Sequence, residues 1–136
     1  DLVRCRGLGD VYKRQARFAD EFNVVFEPVA EAGAQIGRVR AACATAGRRP
    51  ESMRFSAALV LCCGRDEAEF GRRAAAIGRE PDELRANGAA GTPDEVVAII
   101  ESYRAVGVER IYLQTLDLGD LDHLELVAHR VAPQLN

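Results

Sequence analysis

Three short apolar runs, at residues 22–26, 54–63 and 110–114, constrain this chain more than any other feature, because a helix-like stretch lies between each run and the next. The run 54–63 carries Phe55, Leu59, Val60 and Leu61 and is apolar on both alternating faces. That is the pattern of a parallel strand covered on both sides. Residues 22–26 are apolar and β-branched and stop at Glu27-Pro28, and 110–114 reads Arg-Ile-Tyr-Leu-Gln. Between the first two runs, residues 29–46 place Val29, Ile36, Val39 and Cys43 near helical spacing, with Gly47 as the stop. A turn around Pro50 then leads into the second strand, which Gly64 ends.

Asp66 is a helix cap, and its helix is expected to run to about Ile77 with Glu67 and Glu69 near the positive end. Residues 78–91 read as a long connection with a short helix at 82–86. Thr92-Pro93-Asp94-Glu95 combines a capping box with a proline at the first helical position. The helix it opens carries Val96, Val97, Ile99, Ile100 and Tyr103 on one stripe, and Gly107 closes it. A loop with Asp117, Gly119 and Asp120 precedes a last helix over 121–131. Alternation of this kind implies parallel strands joined by crossover helices and argues against a helical bundle or a β-sandwich. Three parallel strands with two bare edges are an unusual end product, so the pattern reads as part of a larger sheet.

Residues 1–15, Asp-Leu-Val-Arg-Cys-Arg-Gly-Leu-Gly-Asp-Val-Tyr-Lys-Arg-Gln, show neither helical nor strand periodicity and hold the single lysine. They resemble translated sequencing adapter and are set aside from the fold as a non-native segment. Gly7-Leu8-Gly9 lacks both a preceding strand and the third glycine of a phosphate loop. Residues 16–20 then read as the last turn of a helix, so the native part is expected to span 16–136.

Apolar residues make up 48% and charged residues 29% of the chain, which is a globular balance. A net charge of −3 with scattered basic residues gives no footprint for nucleic acid or a membrane surface, and no apolar run approaches a membrane span. A cytoplasmic location is the expectation. Cys5, Cys43, Cys62 and Cys63 contain no C-x-x-C pair and read as free thiols. Cys62 and Cys63, adjacent in a strand, point to opposite faces.

Several segments resemble the luciferase-like monooxygenase family. Ala16-Arg17-Phe18-Ala19-Asp20 with Phe22-Asn23 is similar to that family's A-R-[FY]-A-D-x-[WF]-N segment. Ala46-Gly47-Arg48-Arg49-Pro50 through Arg54 is similar to its A-G-R-x-P-x-x-[IL]-R entry into the seventh strand. Gly91-Thr92-Pro93-Asp94-Glu95-Val96, followed by Ala105-Val106-Gly107-Val108-Glu109-Arg110, is similar to its G-T-P helix and eighth-strand entry. The resemblance covers residues 16–136. It implies an α/β fold, namely the C-terminal part (about three βα units) of a TIM (β/α)₈ barrel. It implies a parent oxidoreductase or monooxygenase that uses coenzyme F420 or FMN on a small-molecule substrate. Such a parent could be a homodimer, and the isolated piece, inactive alone, would self-associate through its exposed strand edges. A small noncatalytic α/β domain that pairs with a partner, or another (β/α)₈ enzyme, are the alternatives. The family's cofactor cradle comes mainly from strands three to five, outside this chain, so no catalytic residue carries over by motif.

In such a barrel the chemistry sits at the carboxyl ends of the strands. Those ends nominate Phe26, Glu27, Arg65, Gln114 and Thr115 as barrel-mouth candidates, with Gln114 the most notable as a polar end to an apolar strand. His123 and His129, six apart, face different ways on a helix, and no metal site is expected. Asp117, Asp120 and Asp122 lack the calcium-loop spacing and read as solvated turn and cap residues. Tyr103 and Tyr112 read as packing residues.

Overall fold

The computed structural model describes residues 2–136, with side chains described from Gly9 onward. The element order is α1 (Leu2–Phe18), β1 (Glu21–Val25), α2 (Val29–Thr45), β2 (Arg54–Cys63), α3 (Glu67–Ala76), α4 (Pro81–Asn87), β3 (Ala89–Gly91), α5 (Pro93–Ala105), β4 (Arg110–Gln114) and α6 (Leu121–Arg130). Short 3₁₀ turns occupy Pro50–Ser52 and Ala132–Gln134. Every pairing is parallel, with β2 central: Val24 lies opposite Ala57 on one edge, and Ala57 opposite Ile111 on the other.

Two elements depart from the sequence reading. α1 is one continuous helix through the segment thought to lack periodicity, so Gly7-Leu8-Gly9 lies within a helix. Its carboxyl end is fixed by tertiary contacts. Arg48 donates to the carbonyls of Ala16 (3.3 Å) and Ala19 (2.6 Å), Ala16 is fully buried, and the rings of Tyr12 and Phe22 stand 6.3 Å apart. β3 is a fourth strand where only a connection was expected. Its three small residues pair with Leu61, Cys62 and Cys63, and three residues without a β-branched side chain leave no strand signal to read. Ala58 accepts from Phe26, and the Gly64 amide donates to Gly91; being six residues apart, Ala58 and Gly64 present their backbone to the same edge. β3 therefore continues that edge beyond the end of β1.

The two faces of the sheet differ. One packs Val24, Phe55, Ala57, Leu59, Leu61 and Cys63 against Ile36 and Val39 of α2, Val96, Ile100 and Tyr103 of α5 and Leu126 of α6. The other face, carrying Asn23, Val25, Tyr112 and Gln114, stays exposed along β1 and β4. α3 and α4 roof only its carboxyl end, where Phe70, Ala74 and Leu84 cover Val60, Cys62 and Ala90. Cys62 and Cys63 thus enter separate apolar clusters, as strand alternation requires, and both are free and buried. Tyr112, read from sequence as a packing residue, is instead 44% exposed on the open face. No helix of the described residues is long and apolar enough to cross a membrane.

The helix boundaries follow local chemistry. Asp66 accepts the Glu69 amide at 2.8 Å to start α3. Glu95 accepts the Thr92 amide at 2.7 Å within the capping box of α5. Gly47 and Gly107 end α2 and α5 with φ of +71° and +104°, a region that side chains with a Cβ resist.

Candidate functional site

The carboxyl ends of β1 and β4 and the roof helix α4 enclose a cavity of about 340 Å³. Its walls are Phe26, Glu27 and Pro28 from the β1 end, Val60 from β2, Gln114 and Leu116 from the β4 end, and Arg79, Glu83, Leu84, Asn87 and Gly88 from α4 and its approach. The volume lies within the usual range for small-molecule sites, and the walls set apolar Phe26, Pro28, Val60, Leu84 and Leu116 beside the polar Glu27, Arg79, Glu83, Asn87 and Gln114. A broader concavity around Met53, Phe55, Val108 and Glu109 lies at the opposite, amino-terminal ends of the strands, the side of a parallel barrel associated with stability.

The β1 end is held in an unusual shape. Phe26 has φ +55°, and it is the one non-glycine residue with positive φ among the described residues. For a bulky side chain this costs about 1–3 kcal/mol and persists only where the surroundings impose it. Three restraints impose it here. The Phe26 amide donates to the Ala58 carbonyl at 3.0 Å, the Tyr103 hydroxyl donates to the Glu27 carbonyl at 2.5 Å, and the ring of Pro28 fixes that residue's own φ at −59°. Tyr103 comes from α5 in the helix layer and is buried, so it reaches through the core to fix the mouth. Burial, and then the Glu27 charge, push its phenol pKa up. The sequence reading foresaw the packing and missed this hydrogen bond.

α4 forms the opposite wall because Gly88 permits it. A Cβ at Gly88 would lie 2.8 Å from the Val60 carbonyl oxygen and 2.9 Å from that of Leu84. Arg85 anchors the helix, stacking 4.5 Å from the Phe70 ring centroid and pairing with Glu67 at 2.7 Å. On the cavity side Arg79 and Glu83 form a two-bond pair at 3.0 and 2.6 Å, which lowers the Glu83 pKa. Sequence reasoning missed Arg79, Glu83, Asn87 and Gly88 as lining residues. Pro81 at the first helical position was the signal available for α4, but nothing local reveals that this helix folds back over the strand ends.

Of the nominated residues, Phe26, Glu27 and Gln114 meet in this cavity; Thr115 and Arg65 do not line it. Arg65 belongs to an ionic cluster beyond the end of β2. It bonds Glu69 at 2.7 Å and Asp122 at 2.6 Å, while Arg73, 11% exposed, bonds Glu69, Asp120 (2.7 Å), Asp122 (2.9 Å) and the Cys63 carbonyl (3.0 Å). Asp120 and Asp122 are therefore ion-paired rather than simply solvated, because the α6 start packs against α3. The Arg65 guanidinium beside Asp122 holds its carboxyl down at about 2. His123, buried beside this cluster, accepts the Cys63 amide on Nε2 at 2.9 Å. It thereby satisfies a strand-edge donor that β4 is too short to reach. Burial and then Arg73 lower the His123 pKa, and burial pushes the Cys63 thiol up to about 11. His129 points elsewhere, to the Glu125 carbonyl. Among the described residues no group of three or more His, Cys, Asp or Glu side chains is placed to hold a metal ion.

No family model matches the chain, and no curated protein matches it. Solved structures do. The coenzyme F420-dependent tetrahydromethanopterin reductase of Methanopyrus kandleri superposes with a TM-score of 0.74 at 18% identity, over 94% of this chain and 49% of that one. An F420-dependent secondary alcohol dehydrogenase bound to an F420–acetone adduct gives 0.76 at 13% identity, over 94% and 46%. The monooxygenase RslO1 of Streptomyces bottropensis gives 0.65 at 21%, again over 94% and 46%. The fold is part of a TIM barrel. The chain spans about half the length of these proteins.

Proposed function

We propose that residues 16–136 are the C-terminal part of a luciferase-like (β/α)₈ oxidoreductase that uses F420 or FMN on a small organic substrate, and that residues 1–15 are adapter-derived. The observation that carries this reading is the cavity at the strand carboxyl ends, which unites Phe26, Glu27 and Gln114 on an unclosed parallel sheet. The likeness to F420-dependent reductase and dehydrogenase folds supports it.

The residues present suit one end of such a cofactor. The side-chain amides of Asn87 and Gln114 can pair with the donor–acceptor edge of a flavin or deazaflavin ring, and Leu84 and Leu116 supply apolar wall. Arg79, the one cation lining the cavity among the described residues, is already held by Glu83, so these walls form no phosphate cradle. That cradle falls to strands outside this chain. A bound reduced cofactor would supply a hydride; this chain would shape the mouth and exclude water from it.

The test is titration of the complete barrel containing residues 16–136 with F420 and with FMN. Stoichiometric binding of one of them, absent from the 136-residue chain alone, is the expected result. Binding of neither by the complete barrel would refute the proposal. A noncatalytic domain that pairs with a partner is favoured by the outer edges of β1 and β4, which have no strand partner among the described residues. It predicts a partner-dependent assembly that binds neither cofactor.

A further inference from the structure

We infer that Glu27 is a specificity residue of the mouth cavity, selecting a ligand that presents an organic ammonium group on an apolar body, and that Tyr103 is the positioning residue that holds Glu27 for it. This rests on reading the cavity as a ligand site and goes further by naming what the site selects.

Among the described residues, three charged ones line the cavity: Glu27, Arg79 and Glu83. Arg79 and Glu83 cancel one another in their two-bond pair. The Glu27 carboxylate has no ion pair or side-chain hydrogen bond among the described residues, although its own backbone carbonyl is taken by Tyr103. The cavity therefore carries one uncompensated negative charge beside Phe26, Val60, Leu84 and Leu116. A carboxylate in a partly apolar recess gains most from a positively charged donor, because charge-assisted hydrogen bonds are roughly twice as strong as neutral ones. An anionic ligand would meet that carboxylate and would have to displace Glu83 to reach Arg79.

The backbone under Glu27 is arranged at a cost. The left-handed Phe26, the Tyr103 hydroxyl on the Glu27 carbonyl and the fixed Pro28 leave this turn little freedom. A solvated residue merely entering α2 requires none of this. Strained turns held by distant side chains are a recurrent way of presenting a side chain to a ligand, and preorganised charge binds without first losing conformational freedom.

The experiment uses the whole 136-residue chain, ¹⁵N-labelled, titrated with benzylammonium, benzyl alcohol and benzoate while amide shifts are followed. Benzylammonium is expected to shift the Phe26, Glu27, Gly88 and Gln114 amides saturably, about tenfold more tightly than benzoate, with benzyl alcohol between them. Glu27→Gln should reduce the ammonium to the affinity of the alcohol. Tyr103→Phe should weaken the ammonium several-fold and leave the alcohol unchanged, a split that general loosening of the fold would not produce. Benzoate binding as tightly as benzylammonium would overturn the inference. So would an ammonium preference that survives Glu27→Gln, or the absence of saturable shifts with all three probes. None of these outcomes depends on F420 or FMN, so a failure here is distinguishable from failure of the cofactor reading.

Discussion

The two faces of one sheet differ in almost every respect that matters. On the helix-covered face Val24, Phe55, Ala57, Leu59 and Leu61 are at most 3% exposed. On the other, β1 and β4 present Glu21, Asn23 and Val25 and then Arg110, Tyr112 and Gln114. There Glu21 pairs with Arg110 at 3.3 Å and accepts from the Tyr112 hydroxyl at 3.0 Å, arching over the small side chains of Ser56 and Ala58. The Ser56 hydroxyl below is buried without a hydrogen-bond partner among the described residues. The first face supplies cohesion. The second has the mixed polar and aromatic character of a surface that is neither a finished core nor an ordinary exterior, and the candidate cavity sits at its upper end.

If cohesion lies on the covered face, the largest effect should come from emptying it. Phe55→Ala removes a buried ring that packs on Phe22 and should cost about 3–5 kcal/mol in denaturant unfolding; a loss below about 1 kcal/mol would break the comparison. The next effect concerns the seam between the sheet and α6. The folded-state pKa of His123 is depressed, so the folded state binds fewer protons than the unfolded one. The stability contributed by neutral His123 is complete above its ordinary value of 6.5 and declines as pH falls below it. The denaturation midpoint should fall between pH 7 and 5, and His123→Gln should flatten that slope. Asp122 gives a similar loss in a lower window, as pH falls from 3.8 toward about 2, and Asp122→Asn should remove it.

Smaller still is the roof. Asp66→Ala removes the cap of α3 and should cost about 1 kcal/mol. The smallest change belongs to the open face. Tyr112→Ala should shift stability by no more than about 0.5 kcal/mol in the 136-residue chain, because the residue is 44% exposed and its bonds to Glu21 and Arg110 are solvent-screened surface contacts.

The covered face was legible in the sequence for a physical reason. β2 was delimited by a run apolar on both alternating faces and a terminal glycine, and its two ends fall where that pattern placed them, at Arg54 and Cys63. The starts of α3 and α5 were legible through Asp66 and Thr92-Pro93 because capping is local chemistry. β3 was not, since Ala89–Gly91 is a strand only by virtue of lying against Leu61–Cys63. Nor was α1 over its first half, where helix forms on a segment of weak pattern. The mouth was half legible. Strand ends named Phe26, Glu27 and Gln114, but Arg79, Asn87 and the hydrogen bond from Tyr103 arise from the fold-back of α4 and a contact 76 residues long. Tyr112 was misread because alternation tells which residues share a face without telling whether that face is covered.

If residues 16–136 belong to a closed barrel, as proposed, the open face is an interior that further strands enclose. Hydroxyl-radical footprinting of Tyr112 against Tyr103, in the 136-residue chain and in a barrel completed by strands beside β1 and β4, addresses it most directly. Tyr103, 3% exposed, should be protected in both, and Tyr112, 44% exposed, should be modified in the chain and protected in the completed barrel. Equal modification of Tyr112 in both would mean that this face was never meant to be enclosed.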